Sequence, residues 1–446
     1  MGPARLAPLL VLLLLAAGAG AGPLRGAAGT ASVPVFAAPV VIAADVATGE
    51  PSLVVDPNDA SRLYVAAPDS PATDVWTSAD GGASWLRAPD TLGASGDSSL
   101  AVDAAGALYA ADLCSVSGHG DVPVSVSEDH AATWARVVNV ATESSGCGSA
   151  DRQWVLAAGA GHAYAIWNDG DTYFSKTTDG GRTWLPPLSI SSNVILGGPL
   201  ARDGAGTLYT AYDDGLEIHL LRSFDDGLTW VDTKAADENG ALRDFATHPL
   251  GTVNSFVVAA ADEHGNVYVV WSEEKDVVLV ASRDGGATFG PRVTVTQGKT
   301  GVFPWVVAGP SSGVDVAFYE SNQNLEPDQG QAITTWHVTL AQSFDAASAA
   351  PTFTLTPVSG VVHRGSICTT GIACAGPQNF LGVGGVPTPG DRRLYDFFEM
   401  RVDPAGNALV AYPVDRWIVD TKDPFDAVFS DESFTFSRQV DGPTLG

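Results

Sequence analysis

The sequence predicts an all-β chain whose four-stranded antiparallel units repeat and close into a ring, a β-propeller of seven blades, with six as the alternative count. Three observations carry this. An eight-residue stretch recurs along the chain. A second marker, a turn followed by an aromatic strand, recurs out of phase with it. The chain also holds 49 glycines and 28 prolines in 446 residues. Its apolar residues alternate over short runs without long helical periodicity.

The eight-residue stretch is clearest as Ser282-Arg283-Asp284-Gly285-Gly286-Ala287-Thr288-Phe289, and recurs around Asp80, Asp129, Asp179 and Asp225. The shared pattern is Ser/Thr-x-Asp-x-Gly-x-Thr-Trp/Phe. A sixth copy at Ser343-Phe344-Asp345-Ala346-Ala347 has lost its glycine and aromatic. Each copy lies between two β-prone runs and reads as a hairpin turn. Its Asp accepts amide hydrogen bonds within the turn, its Gly takes positive φ, and its aromatic residue starts the next strand. The oxygen series of an EF-hand loop is missing, so these Asp residues read as structural and no motif specifies calcium. No metal site or cofactor is predicted.

The second marker is an Asp/Gly turn leading into a strand. It occurs at Asp56, Asp103, Gly159, Asp203, Asp262, Gly309 and Asp403, five copies having Tyr64, Tyr109, Tyr164, Tyr209 and Tyr268 in the strand that follows. Phasing both markers gives units at about 50–96, 97–147, 148–194, 195–247, 248–299, 300–361 and 391–441, with an insertion at about 362–390. The seventh unit has no proper box but keeps strand-like runs at 427–430 and 434–440. Residues 33–42 read as a fourth strand that pairs with the last unit and closes the ring, leaving no open sheet edge.

The repeat resembles the Asp-box, or BNR repeat, of sialidase-like β-propellers, over roughly residues 45–440. In that family the box joins the third and fourth strands of a blade at the periphery, away from the active face. The resemblance also implies a chemistry. An arginine triad clamps the substrate carboxylate, a Tyr activated by Glu attacks the anomeric carbon, and an Asp is the acid/base. The family's early arginine sits in Tyr/Phe-Arg-Ile-Pro, and no such motif exists here: between residue 30 and the first box only Arg62 occurs. Arg152, Arg243, Arg364 and Arg393 are the remaining candidates for a clamp, with Tyr395 as nucleophile beside Glu399 or Glu273.

Residues 1–28 have the layout of a signal peptide: Arg5, an apolar run from Leu9 to Ala17, then small residues. The run is short of the ~20 residues that span a bilayer. Residues 29–446 are read as a single secreted, extracellular propeller without a transmembrane segment, and as a monomer. Four cysteines in an exported chain imply disulfides, and three pairings are open. Cys114 with Cys147 would join loops of adjacent units; Cys368 with Cys374 would close a small loop in the insertion. The formal charge is −28, and loss of Arg5 and Arg25 takes it to −30. That excludes nucleic acid and anionic membranes as natural partners, and leaves a glycan or an extracellular protein.

Ligands of propellers meet the face where chain enters the innermost strands. Here those segments are Asp97-Ser98-Ser99, Asp151-Arg152-Gln153-Trp154, 193–199, 243–254, Phe303-Pro304-Trp305 and 392–399. Loops between second and third strands share the face and carry Asp69, Asp112, Asn168, Asp169, Asp213, Glu217, Glu273, Glu274 and Glu320. Asp151, Arg152, Gln153 and Trp154 combine an acid, a bidentate donor, an amide and a ring, a set that suits a sugar. The alternative is an Asp–Arg pair tying two blades, with Trp154 buried. Candidate catalytic residues are Asp151, Arg152, Arg393, Tyr395, Asp396 and Glu399; candidate ligand-binding residues are Asp97, Arg152, Trp154, Arg243 and Glu273. Trp305 reads as core, and His119 and His248 lack ligand-spaced partners. Three functions fit: a binding scaffold, a glycoside hydrolase whose carboxylates stand about 5–10 Å apart, and an exo-sialidase with three converging arginines.

Overall fold

A computed structural model describes residues 2, 33–46, 49–69, 72–93, 96–113, 122–141, 150–192, 196–237, 256–310, 312–330, 333–369, 393–415 and 432–446. Seven antiparallel sheets follow one another around a ring. Blade 1 is β3 (Ser52–Asp56), β4 (Asp59–Ala67), β5 (Asp74–Ser78) and β6 (Leu86–Arg87). Blade 2 is β7 (Ser98–Val102), β8 (Leu108–Asp112), β9 (Pro123–Ser127) and β10 (Arg136–Asn139). Blade 3 is β11 (Asp151–Ala157), β12 (Ala163–Asp169), β13 (Asp171–Thr177) and β14 (Leu188–Ser192). Blade 4 splits its inner strand into β15 (Leu196–Gly197) and β16 (Ala201–Arg202), followed by β17 (Leu208–Asp213), β18 (Glu217–Ser223) and β19 (Val231–Asp237). Blade 5 is β20 (Val258–Ala261), β21 (Val267–Glu273), β22 (Asp276–Ser282) and β23 (Val293–Thr294). Blade 6 is β24 (Gly301–Ala308), β25 (Val314–Ser321), β26 (Thr335–Ser343) and β27 (Thr354–Arg364). Blade 7 is β28 (Glu399–Val402), β29 (Ala408–Asp415) and β30 (Glu432–Asp441).

The outer position of blade 7 is filled from the other end of the chain. β1 (Val35–Phe36) and β2 (Val40–Val46) both pair antiparallel with β30. The expected closure therefore holds, and the closing strand runs to Val46 rather than ending at Ile42. β27 reaches Arg364, so blade 6 takes the first residues assigned to the insertion. The strand-like run at 427–430 lies outside the described residues.

Adjacent blades are sewn together near the axis by side chains that accept backbone amides. Ser52 Oγ accepts from Leu100 N at 2.9 Å, Ser99 Oγ from Val155 N at 3.1 Å, and Ser272 Oγ from Phe303 N at 3.1 Å. Glu399 Oε2 accepts from Leu53 N at 3.1 Å, linking blade 7 to blade 1. These bonds satisfy inner-strand amides that the blade's own ladder leaves free on that side.

The repeat is a turn between third and fourth strands, and its chemistry is local. In blade 1, Asp80 Oδ1 accepts from the Ser78 hydroxyl at 2.8 Å and Ser84 N at 2.9 Å, while Oδ2 accepts from the Ser84 hydroxyl at 2.6 Å. The same set recurs at Asp129, Asp179, Asp225 and Asp284. The Ser or Thr four residues on holds the carboxyls of Asp80, Asp179, Asp225 and Asp284 down at about 2. The fifth box residue touches the preceding blade. Gly227 (φ 86°) lies so close to the Phe174 ring that a β-carbon there would sit 2.1 Å from it, and Gly82 (φ 88°) stands likewise against Phe436. Blade 2 makes the same turn without glycine, with His130 and Ala131 at φ 62° and 63°. The degenerate copy at Asp345 lacks the two left-handed residues.

Gly227→Ala should lower unfolding stability by roughly 2–4 kcal/mol in urea titration, because it adds both a left-handed alanine and an overlap with Phe174. Gly360→Ala, where a β-carbon meets open space, should stay within about 0.5 kcal/mol.

Candidate functional site

Antiparallel pairing puts the start of each inner strand beside the hairpin joining the second and third strands: Ser98 faces Asp112, Asp151 faces Asn168, and Gly301 faces Glu320. These segments form one face around the axis. The boxes and second-marker turns lie at the opposite strand ends.

Below that face the axis is filled. Trp154, Phe256, Trp305 and Phe397, from blades 3, 5, 6 and 7, pack edge-to-face or tilted, with Trp305 stacked on Phe397, at centroid distances of 5.1–6.1 Å. All four are buried. Trp154 Nε1 donates to Gly197 O at 3.1 Å. The expectation that Trp154 presents a ring to ligand is therefore corrected: it is core, as is Trp305. Among the described residues these four rings fill the axis at this level.

Arg152 caps this plug. A register shift between Asp151 and Trp154 and a left-handed backbone (φ 54°) turn its side chain toward the axis. Its guanidinium lies 4.3 Å from the centroid of the Phe256 ring. Around it stand four carboxylates. Asp396 Oδ2 is 2.9 Å from Nη2, Asp97 Oδ2 is 3.4 Å from Nη1, Asp151 Oδ1 is 3.7 Å from Nε, and Glu50 Oε1 is 3.9 Å from Nη1. One side chain thus joins the leading segments of blades 1, 2, 3, 5 and 7. Burial opposes the charged guanidinium, but Asp97, Asp396, Asp151 and Glu50 outweigh it and raise its pKa. The neighbouring Gln153 Nε2 donates to Asp97 O at 2.6 Å.

The sequence-derived candidates divide on this geometry. Asp97, Asp151, Arg152 and Asp396 come together. Asp151 is the most exposed of the cage carboxylates, with 55% of its side chain accessible. Desolvation among the surrounding loops raises its pKa, Arg152 opposes that, and Asp97 and Asp396 add to it. Glu399 is fully buried, pairs with Arg401 at 2.8 Å and accepts from Leu53 N. Its carboxyl is raised by burial, and its position is that of a blade-joining residue rather than a catalytic one. Arg393 is held by Asp415 at 3.1 Å, which also receives His363 Nδ1 at 2.9 Å. Arg364 is exposed at the end of β27. Glu273 is buried and ion-paired with Arg292. Tyr395 packs against Gly49, where a β-carbon would overlap its ring. Glu50 was not anticipated; nothing in Thr48-Gly49-Glu50-Pro51 marks it beyond its place before an inner strand.

Arg243, His119 and His248 lie outside the described residues. Cys368 is fully buried and disulfide-bonded; Cys114, Cys147 and Cys374 lie outside the described residues, so neither expected pairing is described. Among the described residues, no helix is long and apolar enough to cross a membrane.

On this face Asp112 is also fully buried, and its carboxyl is pushed up to about 7 by desolvation, the Thr73 and Thr91 hydroxyls only partly opposing it. Neither oxygen has a hydrogen bond of good geometry.

No protein-family model matches the sequence, and no curated protein matches it. Solved structures do. YCF48 from Cyanidioschyzon merolae is 11% identical, with TM-score 0.49, over 90% of this chain and 98% of that one. A Hadza microbial sialidase is 15% identical, with TM-score 0.45, over 85% of this chain and 73% of that one. The GH74 xyloglucanase from Xanthomonas campestris is 16% identical, with TM-score 0.45, over 72% of this chain and 55% of that one. The seven blades and the Asp-box turns between their third and fourth strands define this chain as a seven-bladed β-propeller.

Arg152→Ala leaves four carboxylates facing one another without their cation. It should cost about 3–5 kcal/mol at pH 7, and less at pH 4, where protonation relieves the repulsion; urea titrations at the two pH values measure both. For Asp112 the sign is set by a folded pKa above the unfolded one. The folded state holds the proton more tightly, so the wild type loses stability as pH rises from about 4 to about 7 and the deficit is complete above that. Asp112→Asn should therefore gain on the order of 4 kcal/mol at pH 8 and nothing at pH 3.5.

Proposed function

We propose that this protein is a carbohydrate- or protein-binding propeller whose ligand docks over the Arg152 cage, and that it is not a sialidase. The observation that carries this reading is the cage itself. A sialidase uses arginines as free donors to a substrate carboxylate. Here the axial guanidinium is enclosed by Asp396, Asp97, Asp151 and Glu50. Four carboxylates around one cation repel an anionic sugar and favour neutral hydroxyls or a cationic group. The chain's overall −28 charge acts in the same direction. A plugged axis favours a shallow contact with a chain end or surface over engulfment of a monosaccharide. Export to the extracellular space, inferred from residues 1–28, fits a glycan or protein partner.

A second reading is glycoside hydrolysis, favoured by one observation. Asp151 combines an accessible side chain with a raised pKa and carboxylate neighbours, the environment of a general acid paired with a base.

The mature protein should release no sugar from fluorogenic sialosides or from neutral glycosides. On an array of neutral, amino and sialylated glycans, and with lysine-rich peptides, it should bind neutral or cationic ligands in preference to sialylated ones. Asp151→Asn should weaken that binding about tenfold, with the effect shrinking in high salt for a cationic ligand. Turnover of a neutral glycoside that disappears in Asp151→Asn would establish the hydrolase instead, and sialoside turnover would overturn both readings.

A further inference from the structure

We propose that residues 442–446 form a latch in the place of the box missing from blade 7, and that Asp315, buried beneath it, makes the latch pH-sensitive. The device lies on the face opposite the mouth and does not depend on the ligand proposed there.

Strand register fixes the setting. In blades 1 to 5 a tyrosine stands opposite the residue that precedes the box's Ser or Thr. Tyr64, Tyr109, Tyr164, Tyr209 and Tyr268 face Thr77, Val126, Lys176, Arg222 and Ala281. Two of them reach the box of the following blade: Tyr64 Oη is 3.0 Å from His130 Nδ1 in blade 2, and Tyr164 donates to Asp226 Oδ1 at 2.6 Å in blade 4. In blade 6 the same position, opposite Gln342, holds Asp315. The blade that follows has no box. Its third strand, β30, runs on into Gly442-Pro443-Thr444-Leu445-Gly446.

Three hydrogen bonds fasten this segment. Pro443 O accepts from Gln439 Nε2 at 2.6 Å and, across the seam to blade 6, from Gln342 Nε2 at 3.2 Å. Leu445 N donates to Gly406 O at 3.0 Å. Leu445 is buried between the marker turns of blades 6 and 7, so close to Gly309 and Gly406 that a β-carbon on either would overlap the segment. None of these contacts belongs to a strand ladder, so the segment can lift without unpairing a sheet.

Asp315 is fully buried, and neither carboxylate oxygen has a hydrogen bond of good geometry. Its cross-strand neighbours are Val307 on β24 and Gln342 on β26. The ionisable groups of the adjoining turns and of β30 are engaged elsewhere. Asp403 pairs with Arg438 at 2.8 Å, Asp345 accepts from Ser343 Oγ at 3.0 Å and Thr352 N at 2.8 Å, and Asp441 accepts from Gly442 N at 2.7 Å. Burial pushes the Asp315 carboxyl up to about 7, Gln342 opposes that only in part, and no charged group among the described residues offsets it. An ionised carboxylate here has no counter-ion and must reach water. The cover that can yield is the segment bonded to Gln342. The closed latch holds the Asp315 proton more tightly than the lifted one, so its hold weakens as pH rises from about 4 to about 7. Lifting uncovers the Leu445 slot beside a cavity of about 560 Å³ lined by Gln342, Phe344, Thr352 and Pro443.

The test is hydrogen exchange of the mature protein, read by mass spectrometry at Leu445 and corrected for the intrinsic effect of pH. Leu445 should lose protection at least about tenfold from pH 5.5 to 8.5, while strand amides of blades 6 and 7 keep theirs. Asp315→Asn should hold the latch shut at both pH values, and Asp315→Thr supplies the same comparison should Asp315→Asn misfold. Asp112→Asn, which removes the buried acid of the mouth face, should leave the pH response in place. Leu445→Ala should open the segment at both pH values. Protection at Leu445 that ignores pH, a response that survives both Asp315 variants or is abolished by Asp112→Asn, or a loss spread over all blades at once overturns the proposal.

Discussion

A ring of sheets must be held where its blades converge, and here one guanidinium does much of that work. Arg152 reaches Glu50, Asp97, Asp151 and Asp396 and lies over Phe256. The leading segments of five blades are tied to one side chain, above a plug of Trp154, Phe256, Trp305 and Phe397. A buried arginine is tolerable only with compensating charge. The compensation exceeds one carboxylate, so what stabilises the axis also gives the mouth its negative field. The proposed ligand preference therefore traces to the same group of atoms that holds the axis together.

The Asp-box solves a different part of the same problem. The Asp's hydrogen bonds are internal to the turn, but the fifth residue stands on the preceding blade: Gly82 on Phe436, Gly227 on Phe174, Gly286 on Leu220. Each box is a spacer setting how closely two blades approach at the rim, which is why left-handed φ persists in blade 2 where His130 and Ala131 replace glycine. The boxes lie at the strand ends opposite the mouth, so they report the architecture and carry no information about ligand.

Within the mouth, the candidates that came together are those whose charge had to be neutralised across the axis. Those that went elsewhere found nearer partners. Glu399 had Arg401 and the Leu53 amide, Arg393 had Asp415, and Glu273 had Arg292. Charge type and position before an inner strand could nominate all of them and could not rank them. Glu50 escaped notice because a lone acid before a strand carries no pattern.

What the sequence determined by itself was everything written in contiguous residues: the box turns, the second-marker turns, the blade phase and the strand that closes the ring. Such features are local, since a Ser, an Asp and a Thr within seven residues can satisfy one another wherever they occur. The tertiary structure decided the site. Residues 50, 97, 152 and 396 meet only because the ring closes, and the energy that selects among charged candidates is the pairing of groups that closure buries. That selection depends on distances across the axis, which no stretch of the chain contains.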